Sequence, residues 1–152
     1  AHVHAARALV PRMLERGGGS FINIASAAGL LSQIGDAAYS ATKHAAVAFA
    51  ESLAIDYGER GIRVSVVCPQ AVATRMIGIE DDSDSTEGGF GGNDVDGIMS
   101  ADDVADIIID ESQAGRFLIL THPQVATYFQ RKATDHDRWI SGMQRFREKL
   151  MS

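Results

Sequence analysis

The chain lacks the features that mark secreted, membrane and nucleic-acid-binding proteins. Only Cys68 among its 152 residues is a cysteine, so no internal disulfide can form and a reducing, cytoplasmic setting is expected. No apolar run reaches the ~18 residues that a membrane helix needs, and no signal peptide is expected. Acidic residues outnumber basic ones by 20 to 14, and no dense basic cluster suggests nucleic-acid binding. What is present, 45% hydrophobic and 22% charged residues, is typical of a globular protein.

Hydrophobic periodicity predicts an alternation of helices and short strands. Helices are predicted for residues 3–15, 37–57, 104–111 and 125–150, and strands for residues 20–25, 63–68 and 116–120. The first strand is apolar and is expected to be buried on both faces of a sheet. Two buried strands joined by a long helix form a parallel crossover unit, which indicates the α/β class. The last helix is expected to contribute core residues from the set Tyr128, Phe129, Trp139, Ile140, Met143, Phe146 and Leu150.

The predicted helix 37–57 is apolar on two sides. Asp36 is a suitable N-cap for it. One side can cover the sheet, and the opposite, alanine-rich side then needs a second partner. We expect a homodimer or homotetramer to form through helix 37–57. The alternative is that another helix of the same chain covers this side.

Tyr39 and Lys43 lie in the first turns of this helix. Residues four apart lie on one face of a helix, so their side chains are expected to meet. An ammonium within a few ångströms favours the ionised form of a phenol, and the pair could therefore give and take a proton. Taken alone, such a pair is equally well explained as a structural feature of the helix surface.

Polar residues follow two of the predicted strands. Ser26 comes directly after strand 20–25, and the segment 69–74 comes after strand 63–68. Parallel strands end at one edge of the sheet, which is where open α/β sheets bind their ligands. We therefore expect both segments to converge on one pocket with Tyr39.

Three sequence blocks together resemble the C-terminal half of a short-chain dehydrogenase/reductase. They occur in the family's order and at its separations: Ser26-Ala-Ala-Gly29, Tyr39-x-x-x-Lys43 at the head of an alanine-rich helix, and the run 63–69 followed by Val72 and Thr74. The resemblance covers roughly residues 3–120. It implies an enzyme that interconverts an alcohol and a carbonyl by hydride transfer with NAD or NADP.

The resemblance also implies a fold and its division. The expected fold is the second half of a Rossmann-like, doubly wound parallel sheet, with about three strands and flanking helices. Residues 1–152 would form the catalytic half of one domain, and residues 77–100 would form a possible substrate lid. The glycine-rich dinucleotide loop of the family is not found in this sequence, so this chain alone is expected to be incomplete for activity.

The family assigns catalytic roles to three matching positions. Tyr39 would exchange a proton with the substrate oxygen. Lys43 would assist Tyr39 and hydrogen-bond the ribose hydroxyls of the nicotinamide nucleotide. Ser26 would position and polarise the substrate oxygen by hydrogen bonding.

The family likewise implies a cofactor-lining segment. Pro69, the backbone at Val72 and the Thr74 hydroxyl would line the nicotinamide, beside Tyr39 and Lys43. Gln70 departs from the glycine that usually follows this proline. No pattern for metal ligands is present, since the five histidines are scattered without ligand spacing.

An acidic segment leaves the substrate and the function partly open. Residues 80–111 carry 12 acidic side chains and no basic one. A lid and a solvated loop explain residues 80–96 equally well. A negative lid disfavours anions, so a small neutral alcohol or ketone is the expected substrate. The alternative function is a non-catalytic fragment or regulatory relative that acts through subunit association.

Overall fold

The structure is a computed structural model that describes residues 1–75 and 96–152. Within these ranges three strands and five α-helices form an α/β fold, which confirms the predicted class. In chain order they are α1 (His2–Glu15), β1 (Gly19–Ile24), α2 (Ala37–Tyr57), β2 (Ile62–Val67), α3 (Ala101–Gln113), β3 (Leu118–Ile119), α4 (Gln124–Thr134) and α5 (His136–Met151). In the part of the chain that is described, no helix is both long and apolar enough to cross a bilayer.

The sheet is parallel, in the order β1-β2-β3. β1 pairs with β2 from Gly19 opposite Ile62 to Ile24 opposite Val67. β3 pairs with β2 only through Leu118 and Ile119, so it is shorter than the predicted 116–120. β2 is therefore the central strand, and its residues from Val64 onward are buried.

Two glycines allow β1 and β2 to begin side by side. Gly18 and Gly61 both have positive φ, at 139° and 86°, a region that side-chain-bearing residues rarely adopt. A Cβ on Gly18 would strike the carbonyl oxygen of Gly61. Gly19 N donates to that same oxygen at 3.2 Å. The register of the sheet is thus set at its amino end by backbone contact.

The core lies between β2 and the inner side of α2. Ile62, Val66 and Cys68 are almost fully buried, and α2 contributes Ala50 and Leu53 to the same cluster. The other side of α2 is open among the described residues, since Ile55 is 81% exposed and Ala41, Ala45 and Ala48 are also exposed. α1 packs along α2 without covering that side. No described helix therefore plays the covering role that the sequence left as an alternative.

The prediction that the first strand is buried on both faces was wrong. Phe21 and Asn23 face the core, but Ile22 and Ile24 are 43% and 46% exposed. Successive side chains of a strand point to opposite faces. β1 is an edge strand, and within the described residues the helices cover only one of its faces. An apolar sequence alone does not show that one face lacks a cover.

The predicted helix 125–150 is two helices. Asp135 separates them because its backbone leaves the helical region, at φ −150° and ψ 94°, and its carboxylate caps α5 by accepting from Arg138 N at 2.9 Å. Since α5 packs on α4 rather than on the sheet, it has no fully buried residue. Tyr128 and Trp139 reach the core cluster as expected. Phe129, Ile140 and Leu150 do not, being 38–47% exposed.

Candidate active site

Backbone hydrogen bonds continue beyond the ends of β1 and β2. They join the segment around Ser26 to the segment that begins at Pro69. Ala25 N donates to Val67 O at 2.8 Å, and Ala27 N donates to Pro69 O at 2.8 Å. Ser26 lies between these two bonds, at the carboxyl edge of β1. The two segments therefore meet by direct backbone bonding, as predicted, and their convergence with Tyr39 on one pocket stays a prediction.

The Ser26 hydroxyl is held at this edge by a short turn. Its Oγ accepts from Ala28 N at 3.1 Å and caps the 3-10 turn Ala27–Gly29. It also donates to Pro69 O at 3.5 Å, which is long for a bond between oxygens. A hydroxyl rotates readily, so Ser26 can redirect this proton to a substrate oxygen at small cost.

Tyr39 and Lys43 share one face of α2, as predicted. The Asp36 carboxylate accepts from Tyr39 N at 2.8 Å and starts the helix there. Lys43 Nζ lies 5.4 Å from the centroid of the Tyr39 ring, within the range of a cation–π contact. Both side chains are half-buried. In the described ranges the Tyr39 hydroxyl has no hydrogen-bond partner, which leaves it available to a substrate.

The turn after Ser26 touches the backbone of α2 at Lys43. A Cβ placed on Gly29 would lie 2.6 Å from the Lys43 carbonyl oxygen and 2.9 Å from its carbonyl carbon. Gly29 itself is buried. The absence of a side chain at residue 29 is what lets the serine turn and the catalytic helix approach so closely.

Replacing Gly29 by alanine is expected to destabilise the protein, because backbone atoms must move to admit the methyl group. We expect a loss of roughly 1–3 kcal/mol in the free energy of unfolding, measured by urea denaturation. The matched control is Gly58→Ala, since Gly58 has helical backbone angles and open space around its Cβ position. Equal unfolding free energies for the two variants would contradict the close contact.

Cys68, the residue that follows β2, has a buried thiol whose pKa depends on burial and on nearby groups. Burial raises its pKa to about 11, while a hydrogen bond from the Ser26 backbone and the charge of Lys43 act in the opposite direction. Cys68 is fully buried and protonated at neutral pH. It is the small apolar residue that the sequence predicted, and it follows β2 directly, one residue before Pro69.

The segment after Pro69 offers backbone and hydroxyl groups at the same edge. Ala73 N donates to Met99 O at 2.8 Å, and Met99 N donates to Ala71 O at 3.2 Å. Because peptide groups alternate along an extended segment, the N–H and C=O of Val72 face away from Met99. The Thr74 hydroxyl donates to Val72 O at 3.3 Å.

His122 is a residue near the site that the sequence motifs did not single out. It is 3% exposed, and its Nδ1 accepts from Gln70 N at 3.4 Å and contacts Thr121 Oγ1 at 2.9 Å. Burial lowers its pKa, against the opposing effects of the Gly97 backbone and the Asp96 carboxylate. A neutral His122 thus supports the turn at Gln70. The sequence did carry one signal for a role of His122 near the site, since His122 follows the predicted strand 116–120 almost directly.

The predicted lid at residues 77–100 lies largely outside the described residues. The structure resumes at Asp96, whose Oδ1 accepts from the Tyr128 hydroxyl at 2.9 Å. Met99 then pairs with Val72 as described above. The carboxyl end of the segment is therefore attached both to α4 and to the segment 69–74.

Comparison with known proteins places these features in a family context. The family model described as short chain dehydrogenase matches residues 1–84. A 1-deoxy-11-beta-hydroxypentalenate dehydrogenase of Streptomyces exfoliatus is 38% identical over 143 residues, which cover 93% of this chain and 49% of the relative. An uncharacterised NAD-dependent oxidoreductase of Mycobacterium tuberculosis is 49% identical over 72 residues, covering 47% of this chain and 26% of the relative.

A solved structure has a similar fold. It is a short-chain dehydrogenase/reductase from Burkholderia phymatum in complex with NAD, which superimposes with a TM-score of 0.69 at 28% identity. The match covers 89% of this chain and 54% of that structure. The chain spans about half the length of the curated relatives that it matches over most of its length.

Proposed function

Because the chain belongs to the short-chain dehydrogenase family, we propose that residues 1–152 form the catalytic half of an oxidoreductase that interconverts an alcohol and a carbonyl. The observation that carries this proposal is the joining of Ser26, Pro69 and the Lys43 end of α2 at one sheet edge. The cofactor is NAD or NADP. The Streptomyces and Mycobacterium relatives, named as a dehydrogenase and an NAD-dependent oxidoreductase, support this assignment.

Tyr39 handles the proton in the proposed reaction. In the oxidising direction its phenolate oxygen accepts the proton of the substrate hydroxyl, and in the reducing direction its hydroxyl donates that proton to the carbonyl oxygen. The Lys43 ammonium stabilises negative charge on the Tyr39 oxygen. Ser26 turns its hydroxyl from Pro69 O to the substrate oxygen and holds it beside Tyr39.

The nicotinamide nucleotide would be held by two side chains of α2, Lys43 and Tyr39, and by the segment 69–74. The Lys43 ammonium and the Tyr39 hydroxyl bind the ribose hydroxyls, and Pro69 packs against the nicotinamide ring. The backbone of Val72 and the Thr74 hydroxyl orient its carboxamide. When bound, the nicotinamide supplies or accepts the hydride.

The proposed substrate is a small neutral alcohol or ketone. If residues 80–96 act as a lid, their negative charge would disfavour anionic substrates. The Streptomyces relative is named for a hydroxylated carboxylate. The hydroxyl group of that compound supports an alcohol as substrate, whereas its carboxylate gives no support for a neutral one. The single, buried cysteine supports a reducing, cytoplasmic setting.

Subunit association through α2 is the second part of the proposal. Ala45, Ala48 and Ile55 are exposed on the side of α2 that faces away from the sheet. Small side chains there would let a second copy approach closely. A homodimer or homotetramer would bury this side. The same surface would serve the alternative, in which a non-catalytic relative acts by association alone.

Titration with NADH and NADPH tests the proposed function. Binding is followed by the quenching and shift of nicotinamide fluorescence, using this chain and a longer form that carries the N-terminal half found in the relatives. We expect the longer form to bind and this chain to bind weakly or not at all. If the longer form bound neither dinucleotide, the oxidoreductase assignment would be overturned and association would remain.

A further inference from the structure

Lys132 on α4 points its ammonium into the loop that follows Ser26. Its Nζ donates to Leu30 O at 2.7 Å and to Leu31 O at 2.8 Å, and it lies 3.4 Å from Nε2 of His44. An ammonium has three N–H donors, and three acceptors surround this one. Two of these acceptors are backbone carbonyls and the third is a histidine nitrogen, so the contact differs from an ordinary salt bridge.

The protonation of His44 follows from its second contact. Its Nδ1 lies 2.9 Å from Ser40 O, and a carbonyl oxygen only accepts, so Nδ1 must carry a proton. In the neutral ring, Nε2 is then a lone-pair acceptor. The Lys132 ammonium therefore donates to His44, and α4 is bonded to α2 one residue beyond Lys43.

A partly buried lysine without a carboxylate partner lowers the stability of the fold if it serves packing alone, because its ammonium loses hydration. Lys132 is half-buried, and burial lowers its pKa. An uncharged side chain of similar length would pack there without the loss of hydration that an ammonium suffers. Lys132 instead satisfies two carbonyl groups of a turn. These two carbonyls belong to the segment that places Ser26.

The contacts of Lys132 lead directly to the catalytic groups. Leu30 N and Leu31 N both donate to Ala27 O, at 3.0 and 2.8 Å, and so close the turn that Ser26 caps. Gly29, within that turn, lies against the Lys43 carbonyl. Lys132 is thus hydrogen-bonded to Leu30 and Leu31, at the end of the turn that Ser26 begins. Through His44 it is also in contact with α2, the helix that carries Tyr39.

We propose that Lys132 is a positioning residue, which holds the Ser26 turn and α2 in the relative orientation that the reaction needs. This inference rests on the oxidoreductase function proposed above. Lys132 touches neither substrate nor cofactor. Its effect is exerted on the distance between the Ser26 and Tyr39 hydroxyls, and a displacement of about 1 Å between reacting groups can lower a rate by about 100-fold.

The test replaces Lys132 by methionine in the longer form of the protein that includes the dinucleotide-binding half. Methionine keeps an unbranched stem of similar length and removes the donors. We expect kcat to fall between about 10-fold and about 100-fold, while the dissociation constant for NADH or NADPH changes less than about 3-fold. The melting temperature is measured in parallel, and kcat is measured well below it.

Arg131→Met is the matched control, since it removes an exposed cation from the same helix. It should leave kcat unchanged. His44→Leu is the second variant. It removes one of the three acceptors, so it should lower kcat by a smaller factor than Lys132→Met. This variant keeps the proposal testable if Lys132→Met does not fold.

The outcomes separate this proposal from the function on which it rests. A Lys132→Met protein that melts at a lower temperature but keeps its kcat would show a merely structural tie and overturn the proposal. If that variant does not fold, a wild-type kcat in His44→Leu would overturn it equally. An unmodified longer form that binds no dinucleotide and turns over no alcohol or ketone would overturn the proposed function, and this inference with it.

Discussion

Replacing Tyr39 by phenylalanine is expected to lower kcat by at least about 100-fold, because general acid–base catalysis contributes about 100- to 10,000-fold. The substitution removes only the hydroxyl. The ring would keep its contact with the Lys43 ammonium, which lies 5.4 Å from the ring centroid. The N-terminal cap would also be unaffected, since Asp36 accepts from the backbone of Tyr39. Steady-state kinetics in the longer, dinucleotide-binding form measures the loss.

Tyr57→Phe provides the control for the loss of a phenol from the same helix. Tyr57 ends α2 and stacks with Arg60 at 5.3 Å, at the opposite end of the helix from Ser26. We expect wild-type kcat and an unchanged far-UV circular dichroism spectrum for this variant. A Tyr39→Phe enzyme with more than half of the wild-type kcat would contradict the role of Tyr39 as the proton donor and acceptor.

Replacing Lys43 by methionine is expected to affect both chemistry and cofactor binding. The ammonium serves the Tyr39 oxygen and the ribose hydroxyls in the proposed site, so kcat/KM should fall by at least about 100-fold. Binding of NADH should weaken as well, by about 10-fold, which corresponds to the loss of one charge-assisted hydrogen bond. Kinetics and fluorescence titration measure the two effects separately.

Lys149→Met is the control for loss of a lysine, since Lys149 is exposed near the end of α5. Its kinetics should match those of the wild type. The Lys43→Met variant should still fold, because Gly29 packs against the backbone of Lys43 rather than against its side chain. Weaker NADH binding with a wild-type kcat would leave Lys43 as a cofactor ligand only and contradict its effect on Tyr39.

Local sequence was sufficient for the catalytic pair and its helix. Asp36 caps α2 where predicted, and Tyr39 and Lys43 share a face because their spacing matches one helical turn. The carboxyl edge that holds Ser26 and Pro69 was also predictable, since parallel strands end together. The chemical roles of these residues stay predictions that the variants above test.

Longer-range features escaped prediction from the sequence. Ile22 and Ile24 read as buried, yet their exposure depends on whether another layer covers that face of β1. Helix 125–150 read as continuous, yet Asp135 breaks it by capping α5. An aspartate inside a helical pattern is compatible with one continuous helix and with two helices separated by an N-cap. Tertiary packing decides between the two.

The sequence by itself determined the α/β class, the helix that carries Tyr39 and Lys43, and the family, because these depend on periodicity and on the order and spacing of short motifs. Only the tertiary structure decided what holds the site together. Lys132 contacts Leu30 and Leu31 from 102 and 101 residues away, and His122 contacts Gln70 from 52 residues away. Such contacts leave no periodic signal, since their partners meet only after the helices have packed on the sheet. Their energy depends on burial, which a linear sequence does not specify.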